Sequence, residues 1–317
     1  MLNTNFAFRD YRRENMRMAM VGLGKMGANM VRRLRRGGIE VVGYNRSREI
    51  VATLAHEEGM VSADSVADAV AKLSAPRVVW VMLPAGETTE NTLGELRGLL
   101  SQGDLVVDGG NSNYHDSQRR GAWLAEAGIE YVDAGTSGGI WGLENGYCLM
   151  VGGSDAAIKL LTPALQVLAP GHDYGWAHVG PVGAGHFTKM VHNGIEYGMM
   201  QAIAEGFALL RGKQEFNLDL AQIGELWKHG SVVRSWLLDL TADALKADQT
   251  LENIKPIVPD SGEGRWTAIE AIDQGQALPV ISMSLAMRFA SQDQVGYSNR
   301  LLSTMRNAFG GHAVAKK

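Results

Sequence analysis

Short apolar runs alternate with stretches of helical periodicity through the first half of the chain, and that alternation stops near residue 183. Residues 17–21, 40–44, 77–83, 104–108, 129–133 and 147–151 are apolar runs of strand length, each bounded by polar residues or glycine, so they predict buried strands. Between them, 28–36, 65–74, 88–100, 114–127 and 154–168 carry apolar positions at helical spacing, with Ser154 as an N-cap. Strand and helix in strict alternation predict an α/β, doubly wound, Rossmann-type N-terminal domain. Past residue 183 strand signals almost vanish, and 183–212, 219–228, 233–246, 266–274 and 279–291 read as helices of an all-α C-terminal domain.

Composition sharpens this picture in three places. With 317 residues the chain exceeds what one hydrophobic core supports, which agrees with two domains. A formal net charge of −4 lacks the basic excess that nucleic acid requires, and no apolar run is long enough for a membrane span. Cys148 is the single cysteine, which rules out an internal disulfide or a cysteine-based metal cluster; it reads as a small core residue. Cytoplasmic localisation follows as the expectation. Residues 1–15 have no apolar segment of signal-peptide type and read as a loose extension.

The first apolar run leads straight into Gly22-x-Gly24-x-x-Gly27 and then a helix. In that setting the spacing is a dinucleotide fingerprint: Gly22 permits the tight turn, Gly24 lets the backbone approach a pyrophosphate, and Gly27 lets the helix pack closely. Leu23, Lys25 and Met26 fill the same turn, so the phosphates would meet the positive end of the helix. Residues 16–180 are thus the expected dinucleotide-binding domain. After the second strand stands Asn45-Arg46-Ser47, where an NAD-binding domain usually offers a carboxylate. A guanidinium there can take a 2′-phosphate, which favours NADP and leaves NAD possible. Leu83-Pro84 follows a later strand on the expected nicotinamide side, and Asp108-Gly109-Gly110-Asn111-Ser112 follows the next, offering Asn111 to cofactor and substrate.

Two further stretches carry candidate chemistry. Ala134-Gly135-Thr136-Ser137-Gly138-Gly139 can face amides and a hydroxyl toward a carboxylate. In the helix at 183–212, Lys189, His192, Asn193 and Glu196 stand at i, i+3, i+4 and i+7, on one face roughly 100° wide. An ordinary core-facing helix would place aliphatic side chains there. A helix of about 30 residues spans some 45 Å, more than a small domain needs, and suits a dimer spine.

These motifs together resemble the 6-phosphogluconate dehydrogenase family, decarboxylating, of the β-hydroxyacid dehydrogenase superfamily. The resemblance covers roughly residues 18–289 and rests on G-L-G-K-M-G-A-N at 22–29, N-R-S at 45–47, D-G-G-N-S at 108–112, S-G-G at 137–139 and K-M-V-H-N-G-I-E-Y at 189–197. The His-Asn-Gly-Ile-Glu-Tyr continuation separates it from 3-hydroxyisobutyrate dehydrogenases. The chain has room for one copy of a helical bundle that longer members duplicate, so it resembles a short form, with 181–317 as substrate and dimerisation domain. Ser261 stands where the family's lysine contacts the substrate phosphate, whereas Arg288 matches the family's phosphate-binding arginine and Arg265 keeps a positive charge nearby. The tail, 306–312 with Lys316 and Lys317 beyond, resembles a family segment that reaches into a neighbouring subunit.

The resemblance implies oxidation of 6-phosphogluconate at C3, loss of its carboxylate as CO2, and formation of ribulose 5-phosphate in the pentose phosphate route. Lys189 would be the general base, Glu196 the acid that protonates the enediol, and His192 and Asn193 ligands of substrate oxygens. Asn111, Ser137, Gly138, Gly139, Tyr197 and Arg288 would complete the substrate contacts. A β-keto acid loses its carboxylate readily, so the chemistry calls for no metal. A homodimer or dimer of dimers is implied. Two alternatives remain open at this level: a non-decarboxylating β-hydroxyacid or gluconate-type dehydrogenase, and a catalytically silent NADPH-binding sensor.

Overall fold

The computed structural model describes residues 16–315, apart from the side chain of Phe309. The expected extension at 1–15 and the lysines at 316 and 317 lie outside the described residues. Residues through Val191 form one compact unit and residues from His192 form a second.

The first unit is built on an eight-stranded sheet of order β3-β2-β1-β4-β5-β6-β7-β8. Its strands are β1 Arg17–Val21, β2 Glu40–Tyr44, β3 Val61–Ser62, β4 Val78–Val81, β5 Leu105–Asp108, β6 Glu130–Ser137, β7 Cys148–Gly152 and β8 Trp176–Gly180. The first six run parallel, β7 returns antiparallel to β6, and β8 pairs parallel with β7. Alternate residues of the parallel strands feed different cores. Met18, Met20 and Trp80 join one apolar cluster, while Ala19, Val21, Val79 and Val81 join another. A parallel strand covered on both faces needs that unbroken apolar sequence.

Helices α1 Lys25–Arg36, α2 Arg48–Glu58, α3 Val66–Ala71, α4 Glu87–Leu99, α5 Tyr114–Ala125, α6 Gly142–Asn145 and α7 Asp155–Leu168 connect the strands. Ser154 caps α7 by accepting the Ala157 N–H at 3.1 Å, as the sequence predicts. Chain order reverses around β1 and β4, which puts the crevice at the carboxyl ends of those strands in reach of the loops after β1, β4 and β5. Cys148, expected in the core, is exposed instead: it opens β7 opposite Ser137, one residue before that strand enters the interior.

Helix α8 Ala184–Gly212 runs unbroken from the first unit into the second. The second unit continues with α9 Leu220–Trp227, α10 Trp236–Ala247, α11 Glu263–Asp273, α12 Pro279–Gln292 and α13 Tyr297–Gly310. A small core of Phe207, Leu220, Leu238 and Leu245 joins α8, α9 and α10. No helix among the described residues is long and apolar enough to cross a membrane.

Candidate active site

The β1–α1 turn has the geometry its glycines demand. Gly22 sits at φ +99° and donates to the Tyr44 carbonyl at 2.9 Å, and a Cβ there would collide with the Met82 carbonyl and lie 2.9 Å from Leu83 Cδ2. A Cβ on Gly27 would collide with the Gly22 carbonyl, whereas one on Gly24 would meet nothing within 4 Å. The first turn of α1 carries no acidic residue, and its N-cap Gly24 offers no side chain, so the orphan N–H groups of Lys25, Met26 and Gly27 suit an anionic ligand. Asn45 braces this turn: its Oδ1 accepts the Leu23 N–H at 3.1 Å. Arg46 and Ser47 are exposed beside it, at the start of α2. No hydrogen bond or ion pair engages Arg46 among the described residues. These residues fit a nicotinamide dinucleotide.

The loops after β4 and β5 touch. A Cβ on Gly110 would lie 2.6 Å from the Leu83 carbonyl, and Thr89 at the head of α4 donates to the Pro84 carbonyl at 2.9 Å. Asn111 is exposed on this platform, and beneath it lies a buried ion-pair network. Asp108 Oδ2 accepts Arg120 Nη1 at 2.9 Å, Ser112 Oγ at 2.9 Å and Tyr131 OH at 3.0 Å, while Oδ1 accepts the Gly110 N–H at 3.1 Å. Arg120 also donates Nε to Glu90 Oε1 at 2.9 Å, which ties α4 to the same network. Burial acts against the Arg120 charge, but Asp108, Tyr131 and Glu90 together more than offset it and hold the guanidinium above its ordinary value. Burial pushes the Tyr131 phenol well up, so it stays a donor.

On β6, Ser137 is half-buried and Gly138 takes φ +136°, a backbone that glycine permits, with Gly139 at φ +51° beginning a short helical turn. Two residues upstream, a Cβ on Gly135 would collide with Lys189 Cβ and lie 2.7 Å from the Gly185 carbonyl. Lys189 is 7% exposed, with its stem against the strand that ends in Ser137-Gly138-Gly139. Further along α8, His192, Asn193 and Glu196 are half-buried, and His192 Nδ1 lies 3.0 Å from Asn193 Oδ1. With the amide oxygen accepting, Nδ1 carries the proton and Nε2 is the ring's other functional atom. The helix is continuous, so the four residues keep the i, i+3, i+4, i+7 spacing read from the sequence.

The second unit holds a polar cluster around Tyr197. Its hydroxyl lies 2.8 Å from Ser261 Oγ, accepts the Ser261 N–H at 3.0 Å and donates to Asp260 Oδ1 at 3.3 Å. The Arg288 guanidinium stacks 3.4 Å over the Tyr197 ring and donates to the Pro259 carbonyl at 2.9 Å. Arg265 is engaged by Asp260 at 2.9 Å, whereas no carboxylate pairs with Arg288 among the described residues. An apolar cavity of about 890 Å³ in the same unit is lined by residues such as Ile203, Phe207, Leu240 and Leu245, none of them in the sequence-predicted site. Sequence reasoning missed the buried carboxylate of Asp133 and the role of Arg120. The signal was an acidic residue closing each of two apolar runs, Y-V-D for Asp133 and V-V-D for Asp108, the carboxylate that Arg120 pairs with.

A dinucleotide cradle at the switch point, joined to a helix that presents a buried lysine, places the chain among the nicotinamide-dependent dehydrogenases. The NAD binding domain of 6-phosphogluconate dehydrogenase matches residues 17–180, and the 6-phosphogluconate dehydrogenase C-terminal domain matches 185–304. The chain belongs to the 6-phosphogluconate dehydrogenase family. It is 43% identical over 303 residues to the Haloferax volcanii 6-phosphogluconate dehydrogenase described as NAD(+)-dependent and decarboxylating, covering 95% of this chain and 99% of that one. It is 37% identical over 286 residues to a Bacillus subtilis enzyme of the same description, covering 86% of this chain but 61% of that longer one. The Plasmodium falciparum 6-phosphogluconate dehydrogenase, solved with NADP+ and with 6-phosphogluconate, superposes with a TM-score of 0.80 at 28% identity, over 95% of this chain and 66% of that one. Among the described residues no cluster of three His, Cys, Asp or Glu could hold a metal ion.

Proposed function

We propose that the chain oxidises and decarboxylates 6-phosphogluconate to ribulose 5-phosphate, the oxidative step of the pentose phosphate route, with NADP preferred over NAD. The observation that carries this reading is Lys189, His192, Asn193 and Glu196 on one face of a single unbroken helix. Gly22, Leu23, Gly24, Lys25, Met26 and Gly27 hold the pyrophosphate, Asn45, Arg46 and Ser47 the adenosine ribose with its 2′-phosphate, and Leu83, Pro84 and Asn111 flank the nicotinamide. When bound, the nicotinamide accepts the hydride from C3.

Lys189 takes the proton of the C3 hydroxyl, a step that requires its neutral amine. The resulting ammonium polarises the C3 ketone, and the β-carboxylate leaves as CO2. Glu196 then delivers a proton to the carbon that lost it. Asn111 and Ser137-Gly138-Gly139 hold the substrate carboxylate and neighbouring hydroxyls, His192 and Asn193 hold further oxygens, and Tyr197 with Arg288 takes the phosphate. Residues 16–180 act as the dinucleotide-binding domain and 181–317 as the substrate and dimerisation domain, in a cytoplasmic homodimer. Leu209, Ile272 and Val280, exposed at 79%, 78% and 67%, support a second copy covering the helical unit.

The test is release of CO2 alongside reduced cofactor, with 6-phosphogluconate and gluconate compared. Stoichiometric CO2, preference for the phosphorylated acid, and loss of turnover in Lys189→Met with cofactor binding retained are expected; a general base contributes about 10²–10⁴-fold. Reduced cofactor without CO2 overturns decarboxylation in favour of a plain hydroxyacid dehydrogenase.

A further inference from the structure

Strand β6 reads E-Y-V-D-A-G-T-S, and its period of two places Asp133, Gly135 and Ser137 on one face, successive members about 6.6 Å apart. Asp133 is wholly buried within this apolar strand, a costly position for a carboxylate unless its oxygens are satisfied. They are satisfied by the start of α8: Oδ1 accepts the Gly183 N–H at 2.7 Å and Oδ2 accepts the His186 N–H at 2.7 Å. Burial raises the Asp133 carboxyl above its ordinary range, while these N–H donors act in the opposite direction.

The helix reaches the strand because side chains are missing where the two meet. A Cβ on Gly152 would lie 2.6 Å from Asp133 Oδ1 and 2.8 Å from the Gly185 N, and one on Gly185 would lie 2.6 Å from the Met150 carbonyl. One turn after the anchored His186 comes Lys189, whose Cβ occupies the space left by Gly135. His186 is itself fixed through Nδ1, 2.7 Å from Ser117 Oγ on α5. One strand face therefore carries the helix anchor, the slot for the lysine stem and the hydroxyl of the substrate loop.

We propose that Asp133 is a positioning residue for Lys189, setting the height and rotation of α8 so that the lysine amine lies in register with the Ser137-Gly138-Gly139 loop. The inference rests on Lys189 being the base. It needs no contact between Asp133 and the substrate.

Asp133→Asn preserves volume but turns one acceptor into a donor facing an N–H group, so the first turn must move. With 6-phosphogluconate as substrate, kcat is expected to fall about 10- to 100-fold, the effect of displacing a catalytic group by around 1 Å. Cofactor affinity, read by fluorescence titration of the reduced dinucleotide, stays at the wild-type value, and the primary isotope effect with C3-deuterated substrate rises because hydride transfer becomes slower. A lower melting temperature with kcat per active site and isotope effect unchanged overturns the inference. If Asp133→Asn does not fold, Gly135→Ala carries the test, since it keeps the carboxylate while pushing on Lys189 Cβ and on the Gly185 carbonyl, in the same peptide unit as the His186 N–H that Asp133 accepts. The same signature supports the inference and an unchanged kcat overturns it. Lys189→Met separates the two levels: if it is inactive while Asp133→Asn and Gly135→Ala turn over normally, the anchor alone is wrong. An active Lys189→Met removes the base assignment and the anchor with it.

Discussion

Arg120→Met tests whether the ion-pair network under the Asn111 loop is a structural keystone. The guanidinium is fully buried and bonds Asp108, Ser112 and Glu90, so methionine fills much of its volume while leaving Asp108 buried without its counter-charge. Removing one partner of a buried pair typically costs about 3–5 kcal/mol. Asp108 keeps three donors, Gly110 N, Ser112 Oγ and Tyr131 OH, which places the expected cost near the low end, at about 3 kcal/mol. For a unit of this size each kcal/mol moves the midpoint by roughly 2–4 °C, so thermal unfolding should fall by roughly 6–12 °C. The assay is thermal unfolding followed by circular dichroism, repeated in an Asp108→Asn background where the stranded charge is gone. There Arg120→Met should cost less by at least about 1 kcal/mol, because the two side chains act as one unit. A midpoint within 2 °C of wild type, or an equal cost in both backgrounds, would refute the reasoning.

Arg46→Ala should weaken NADP binding about ten- to hundredfold and leave NAD binding unchanged, as a lost charge-assisted phosphate contact predicts; equal loss for both cofactors in titrations removes Arg46 from the 2′-phosphate. Arg288→Ala should raise KM for 6-phosphogluconate about ten- to hundredfold with little change in kcat, because a contact remote from C3 is made in ground and transition states alike; a kcat effect of that size would argue against a pure phosphate role. Burial acts to raise the Glu90 carboxyl, but Arg119 and Arg120 more than offset it and hold it below its ordinary 4.5. Stability from this pairing is therefore present above pH 4.5 and lost as pH falls through the lower folded value, so unfolding free energies of wild type and Glu90→Gln should converge toward acid; parallel curves contradict the assignment.

Much of the nucleotide fold is legible in the sequence because its signals are local. β1 and β2 coincide with the apolar runs at 17–21 and 40–44, and α8 begins within a residue of its predicted start. α2, β3 and β8 escape because their signals are weak: α2 buries only Val51 and Leu54, β3 spans two residues, and Trp-Ala-His-Val-Gly in β8 is half-exposed and lacks a continuous apolar run. α13 escapes because glycines bound it on both sides and Tyr297, Leu301, Leu302 and Met305 are exposed. Within the site, spacing reveals that Lys189 and Glu196 share a helix face. It cannot reveal that Lys189 Cβ occupies the gap at Gly135, because that contact joins residues 54 apart in the chain, nor that Asp260, five residues before Arg265, turns back to engage it, because the loop's conformation decides that pairing.

The continuity of α8 bears on how this protein can change over generations. Lys189 and Glu196 stand seven residues apart in that unbroken helix, so its backbone binds the two into one rotational phase. Inserting or deleting a single residue between them would turn every later side chain of the helix by about 100° relative to the lysine. The stretch is thus closed to length variation even where substitutions are tolerated. Any exchange of helical units between relatives has to join the chains before Ala184, so that the whole helix is inherited as one piece.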